Sequence, residues 1–193
     1  LLQQATNIQE AHNDNLKTAA FADGYWVMYD YNRGYAADLE ASGIMGIFRL
    51  PKPSYYFYQS QRDADDLFGK PMIHIANNWQ KNSPLNVRVF SNCDAIELFL
   101  NDKSLGIQKP DTNRISENLK HPPFTFNIKK FEEGKLEAKG YINNKLRASH
   151  RVITPEKPAK IKVIIDNEYP DLKEENTDLF FVHAYITDKN GTV

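Results

Sequence analysis

The chain has 193 residues, 41% of them hydrophobic, enough to bury a core and too many for a disordered polypeptide. Its 24 basic and 25 acidic residues leave a formal charge of −1 without a basic face long enough to follow a phosphate backbone, so nucleic acid is not an expected partner. The single cysteine, Cys93, excludes an intrachain disulfide and any multi-cysteine metal site, and no apolar run is long enough to span a bilayer, so no membrane partner is expected either. The chain opens on Leu1-Leu2-Gln3-Gln4, with neither an initiator Met nor a signal pattern, and closes on the turn residues Asp188 to Gly191 followed by the start of a strand; both ends read as the interior of a longer polypeptide.

Residues 1–17 read as a helix, with Leu2, Ala5, Ile8 and Ala11 at helical spacing and Asn13-Asp14-Asn15 as a polar stop. The apolar run Tyr25 to Tyr29, bracketed by Asp23-Gly24 and Asn32-Arg33-Gly34, predicts a strand buried on both faces. At its carboxyl end the composition switches to Asp30, Tyr31, Asn32 and Arg33, and in parallel α/β architectures that end of a strand is where ligands are met. A polar loop, 35–42, leads to Gly43 through Phe48 and then to Arg49-Leu50-Pro51-Lys52-Pro53-Ser54, where Ser54 is expected to cap a helix from Tyr55 to about Arg62. Helix, strand, loop and helix form the tail of an α/β repeat.

From Asp63 to Pro71 acidic and turn-forming residues take over and helical periodicity does not return, which places a boundary there. Strand-like runs follow at Met72–Ala76, Asn86–Ser91, Ala95–Asn101, Phe124–Lys129, Lys135–Ile142 and Leu146–Thr154, separated by turn signals such as Asn101-Asp102-Lys103 and Asn143-Asn144. Six or seven short strands in about ninety residues predict an antiparallel, immunoglobulin-like β-sandwich. Pro155-Glu156-Lys157-Pro158 is a stiff linker, beyond which Lys160–Asp166 and Leu179–Asp188 open another β-domain. The expected fold is mostly β, organised as 1–62, 63–154, the linker 155–158, and 159–193.

Three stretches together resemble the C-terminal side of family 2 glycoside hydrolases, the group containing β-galactosidases and β-glucuronidases. Trp26-Val-Met-Tyr-Asp30-Tyr31 is similar to the last barrel strand of that family, where a Trp and a following polar pair sit beside the sugar. Gly46-Ile47-Phe48-Arg49-Leu50-Pro51-Lys52-Pro53-Ser54-Tyr55-Tyr56 resembles its closing motif before an aromatic-rich helix. Asn86 to Gly106 resembles the sandwich domain that follows the barrel, with Asp102 in place of the Gly of a usual Asn-Gly-Lys-Ser-Leu-Gly. The resemblance covers nearly the whole chain. It implies the last βα element of a (β/α)8 barrel, an immunoglobulin-like sandwich and the start of a second sandwich. It also implies a parent enzyme, β-galactosidase-like, that hydrolyses β-glycosidic bonds with retention, is secreted or periplasmic, uses no cofactor, and has a carbohydrate substrate and the rest of the same polypeptide as partners.

Retaining hydrolysis uses two carboxyl groups about 5 Å apart. In that family both are glutamates on earlier barrel strands. Nothing here matches the Asn-Glu pair of the acid/base; Glu10 falls in a helix and Glu40 in a loop, so no catalytic residue is assigned and the segment alone is expected to be inactive. The resemblance makes Trp26 a stacking face for a sugar ring and Asp30 an acceptor for its hydroxyls, with Tyr31, Asn32 and Arg33 at the rim. The bland alternatives are a core Trp, a loop-capping Asp, and a turn that uses its polar residues for its own hydrogen bonds. Arg49 and Lys52 are read as pairing with acidic groups. The five histidines, His12, His74, His121, His150 and His183, form no ligand spacing, so no metal is expected there; the acidic connection Asp166 to Asp178 reads as solvated, with calcium as the sharper alternative. The alternative function is a non-catalytic β-sandwich module for glycan binding or domain spacing, with Trp79 as an exposed platform and Trp26 buried against its own chain.

Overall fold

The computed structural model describes residues 1–165 and 181–193, and in these the chain is mostly β with two helices. In chain order come α1 (Leu2–Asn15), β1 (Tyr31–Asn32), β2 (Leu39–Glu40), α2 (Pro53–Ser60), β3 (Ile73–Ile75), β4 (Asn86–Ser91), β5 (Ala95–Leu100), β6 (Lys103–Gln108), β7 (Phe124–Asn127), β8 (Lys135–Ile142), β9 (Lys145–Ile153), β10 (Lys160–Ile165) and β11 (Val182–Thr187). Leu1–Val152 make one compact unit and Ile153–Val193 another.

The first unit holds the two-stranded ribbon β1-β2 and two larger antiparallel sheets, β3-β4-β7 and β6-β5-β8-β9. Alternation decides what they bury. Ile96, Leu98 and Leu100 of β5 point inward, while Ala95, Glu97 and Phe99 between them stay half-buried. Val87 and Val89 of β4, Phe124 and Phe126 of β7, and Leu136 and Ala138 of β8 complete that core. Each large apolar side chain so buried contributes about 1.5–3 kcal/mol. The hairpins β5–β6 and β8–β9 turn on Asn101-Asp102 and Asn143-Asn144, with φ of 51°, 65°, 51° and 61°. Two successive left-handed residues are what a two-residue hairpin needs, and Asp tolerates that conformation well enough for Asp102 to stand where Gly is usual.

A second core lies on the other face of β3-β4-β7, where Phe90 of β4 and Leu119 pack against Ala5 and Ile8 of α1 and Phe57 of α2. The burial of α1 differs from its apolar spacing: Ala11 is exposed, while Gln9 and Asn13 are fully buried. The reason is the segment opposite, which presents carbonyls. Gln9 donates to Ile115 O at 2.8 Å and Asn13 to Arg114 O at 3.0 Å, so two amides satisfy groups that an apolar face would strand. Arg88 reaches out from β4 to Thr6 Oγ1 at 2.9 Å and to Gln9 Oε1, and burial pushes its pKa down. Ser54 does not cap α2. The helix begins at Pro53, with Lys52 at the cap position, because proline's fixed φ and missing N–H suit the first helical turn; the Ser54 hydroxyl donates instead to Gln4 Oε1 at 3.2 Å.

Where β3 meets β9, the Ile75 N–H donates to His150 Nδ1 at 3.1 Å. The His74 ring stacks on Tyr56 at 3.5 Å and lies 4.8 Å from His150. Burial pushes His74 down to about 3, helped by His150, and pushes His150 down as well. β6 is a strand that the sequence pattern conceals, because all six of its residues are exposed and burial gives them no alternation.

In the second unit β10 and β11 pair antiparallel from Lys160↔Thr187 to Ile165↔Val182. The Asp188 carboxylate accepts from the backbone N–H groups of Glu156, Asn190 and Thr192, which hold it below the usual carboxylate range. The expected acidic connection Asp166 to Asp178 lies outside the described residues.

Candidate functional site

Tyr25 to Tyr29 is not a strand buried on both faces. Tyr25 is 39% exposed, Trp26 71% and Met28 49%, because the run finds a partner on one side only. There Ile44 N donates to Val27 O at 3.0 Å, Met45 N to Met28 O at 2.9 Å, and Asp30 N to Met45 O at 3.0 Å. This close approach requires Gly43: a Cβ at that position would lie 2.3 Å from Asp30 N and 2.5 Å from the Tyr29 carbonyl carbon. Upstream the run is pinned by Asp23, which meets His12 at 2.6 Å and accepts from Asn15 at 2.9 Å. Downstream the Gly46–Leu50 turn closes through Gly46 N to Leu50 O at 2.8 Å, and it carries the Arg49 guanidinium 3.8 Å over the Tyr29 ring.

Asp30 is 7% exposed and Lys52 8%. The Lys52 ammonium donates to Asp30 Oδ1 at 2.7 Å and to Ala41 O at 2.9 Å. Removing one partner of such a buried pair costs about 3–5 kcal/mol, since the other charge is left uncompensated. Lys52 thus pairs with an acidic group, and one Asp30 oxygen is committed to it. Arg33 pairs with Glu40 and, at 3.3 Å, with Asp38, so it braces the β1–β2 ribbon. Asn32 is exposed on that ribbon. Trp26 and Tyr31 meet edge to face, ring centres 6.2 Å apart, with the indole N–H 3.4 Å from the Tyr31 hydroxyl. The five residues singled out in the sequence thus form two aromatics in mutual contact at the surface, a buried ion pair at the adjoining Asp30, and a second ion pair bracing the ribbon. A hollow of about 460 Å³ opens behind, lined by Gln4, Ile8, Tyr25 and Ser42 among others, and its lining includes neither Trp26 nor Asp30.

The proposed platform at Trp79 is overturned: Trp79 is 1% exposed, its indole N–H donates to Glu132 O at 2.9 Å, and its ring packs on Phe131. Its polar tip finds a carbonyl at the base of the sandwich, which is what lets so large a ring be buried. Trp26, at 71% exposure, is likewise not buried against its own chain. Glu10 pairs with Arg114 and Glu40 with Arg33. Among the described residues no group of three or more His, Cys, Asp or Glu is arranged to hold a metal ion, and no helix is long and apolar enough to cross a membrane.

Residues 82–148 match a family model described as a domain of unknown function, DUF4982. Over 186 residues the chain is 31% identical to a β-galactosidase of Thermoanaerobacter pseudethanolicus, covering 87% of this chain and 24% of that protein. Over 171 residues it is 26% identical to a β-glucuronidase of Formosa agariphila, covering 86% of this chain and 16% of that protein. A solved β-glycosidase from Bacteroides vulgatus superposes with a TM-score of 0.71 at 27% identity, over 86% of this chain and 20% of that one. The matched relatives are named as β-glycosidases. The chain is a relative of a segment of the family 2 glycoside hydrolases and spans about a quarter or less of these relatives' length.

Proposed function

We propose that this chain is the C-terminal segment of a retaining β-glycosidase, β-galactosidase-like, with residues 1–62 as the end of its barrel, 63–154 as an immunoglobulin-like sandwich, and 159–193 as the start of another β-domain. In this reading Trp26 and Tyr31 form one wall of the sugar site. Trp26 offers its ring to the C–H face of a sugar, Tyr31 sets the angle of the indole, and Asp30 is turned toward the hydroxyls by Lys52. Asn32 and Arg33 shape the rim. The two carboxyl groups that cleave the bond lie on other barrel strands of the same polypeptide, about 5 Å apart as retention requires. What carries the reading is the exposed Trp26, set edge to face against Tyr31, the neighbour of the buried, Lys52-paired Asp30, at the position where the sequence resembles the family's last barrel strand. The ion-paired states of Glu10 and Glu40 support a role for both away from catalysis.

The test uses the whole polypeptide, assayed on 4-nitrophenyl β-galactoside and β-glucuronide with product stereochemistry followed by NMR. Hydrolysis with retention is expected, and Trp26→Ala should lower kcat/KM at least tenfold, about 1.4 kcal/mol of transition-state stabilisation. Inversion, or no β-glycoside turnover, sinks the class. An undiminished Trp26→Ala enzyme sinks the wall. Turnover by residues 1–193 alone would mean that this segment carries the glutamates after all.

A further inference from the structure

The three-stranded sheet has one strand fewer than the four-stranded sheet it faces, and at one edge β6 keeps an inner face left exposed among the described residues. Between β6 and β7 this leaves a groove of about 340 Å³. Its floor is apolar: Leu100, Leu105, Phe126 and Ile128. Its rim is cationic. Lys130 is neutralised by Glu132 at 2.9 Å, whereas Lys103 and Lys129 have no ion-pair partner among the described residues. Two uncompensated ammonium groups over an apolar floor are complementary to one kind of molecule.

We propose that this groove binds an amphiphilic carboxylate, a small molecule with an aliphatic or aromatic body lying on the floor and its anionic group between Lys103 and Lys129. The volume falls at the lower end of the range for small-ligand sites, roughly 300–1,000 Å³. A sugar ring is the poorer fit, because the aromatic in the groove, Phe126, is 4% exposed and offers no open face for stacking. An added peptide strand is disfavoured too: the β5–β6 register shifts between Glu97 and Phe99, and Gly106 sits at φ 106°, so the row of edge N–H and C=O groups is interrupted. A second copy of the chain would bring β9, the other edge of this sheet, whose Lys145, Arg147 and Arg151 repel the lysine rim. The proposal is independent of the glycosidase reading, since it uses no residue of the Trp26 corner.

The test is a titration of the intact chain with 1-naphthoate, with 1-naphthalenemethanol and 1-naphthylmethylammonium as neutral and cationic controls, followed by ¹H–¹⁵N NMR. Saturable binding of naphthoate with Kd below about 1 mM is expected, with both controls at least tenfold weaker and shifts concentrated in 103–108 and 126–130. The exposed double variant Lys103→Gln/Lys129→Gln should weaken naphthoate at least fivefold without lowering Tm, and Leu105→Asp should weaken it similarly. No saturation by about 5 mM, equal affinity for the neutral control, or shifts elsewhere would overturn the proposal. Tighter binding of a glucuronate or of an extended acidic peptide would overturn it in favour of a sugar or strand-addition site.

Discussion

At one edge of the sandwich β3 and β9 are joined across the two sheets by a side chain, and at the other β6 and β7 flank an open groove. The first edge is closed by side chains that become neutral when buried: His150 takes the Ile75 N–H, and His74 stacks on Tyr56 and meets His150 at a tilt. The second presents Lys103 and Lys129, whose ammonium groups lose too much hydration to be drawn inward, so Leu105 at their side remains 40% exposed. Histidine and lysine are both basic residues at comparable places in the architecture. The difference between the edges is that imidazole can give up its proton near neutrality and an alkylammonium cannot.

The contrast can be broken most forcefully at Ile75, which is 2% exposed at the closed edge. Ile75→Ala should cost about 3 kcal/mol in urea unfolding, within the span known for buried Ile-to-Ala changes; a loss below about 1 kcal/mol would mean the closed edge contributes little. A smaller effect comes from acid. His74 and His150 both have folded pKa values depressed below the ordinary 6.5, so between pH 6.5 and 5 the unfolded chain binds protons that the folded chain refuses. Stability should therefore fall as pH falls through that window, by up to about 1.4 kcal/mol per pH unit for His74, whose folded value is about 3, with His150 adding in the same direction. His74→Phe keeps a ring against Tyr56 and should remove one proton's share of the slope, as measured by denaturant titrations at pH 7, 6 and 5. The carboxylates with lowered values, Asp63, Asp102 and Asp188, lose their stabilisation only at lower pH, so they leave this window clear. The least effect belongs to the open edge: Leu105→Ala should change stability by less than about 0.5 kcal/mol. A large loss there would show that the groove is a packed part of the core.

The same division governs what could be read from the residues. β5 and β8 were legible because burial on one face alone forces alternation, as in Ile96-Glu97-Leu98-Phe99-Leu100. The Asn-Asp and Asn-Asn turns were legible because few residues accept left-handed φ. β6 was not, since a strand whose inner face is uncovered has no reason to alternate. Tyr25 to Tyr29 failed in the opposite sense: five apolar residues in a row read as doubly buried, yet the run pairs on one side and leaves Trp26 outside. The polar face of α1 was hidden because the partners of Gln9 and Asn13 are carbonyls more than a hundred residues away in sequence. At the candidate site the residue types were visible, but the joining of Asp30 to Lys52 across 22 residues depends on the close backbone approach that Gly43 permits.

The Asp30–Lys52 pair also determines how the Trp26 corner responds to its medium. Exposed pairs such as Lys135 with Asp102 weaken as dissolved ions accumulate, because counterions screen charges that water can reach. The Asp30 and Lys52 side chains are 7% and 9% exposed and largely out of reach of counterions. The Asp30–Lys52 joint should hold from dilute buffer to brine, so a salt-dependent change in catalysis by the whole polypeptide would originate at exposed pairs such as Arg33 with Asp38 or elsewhere.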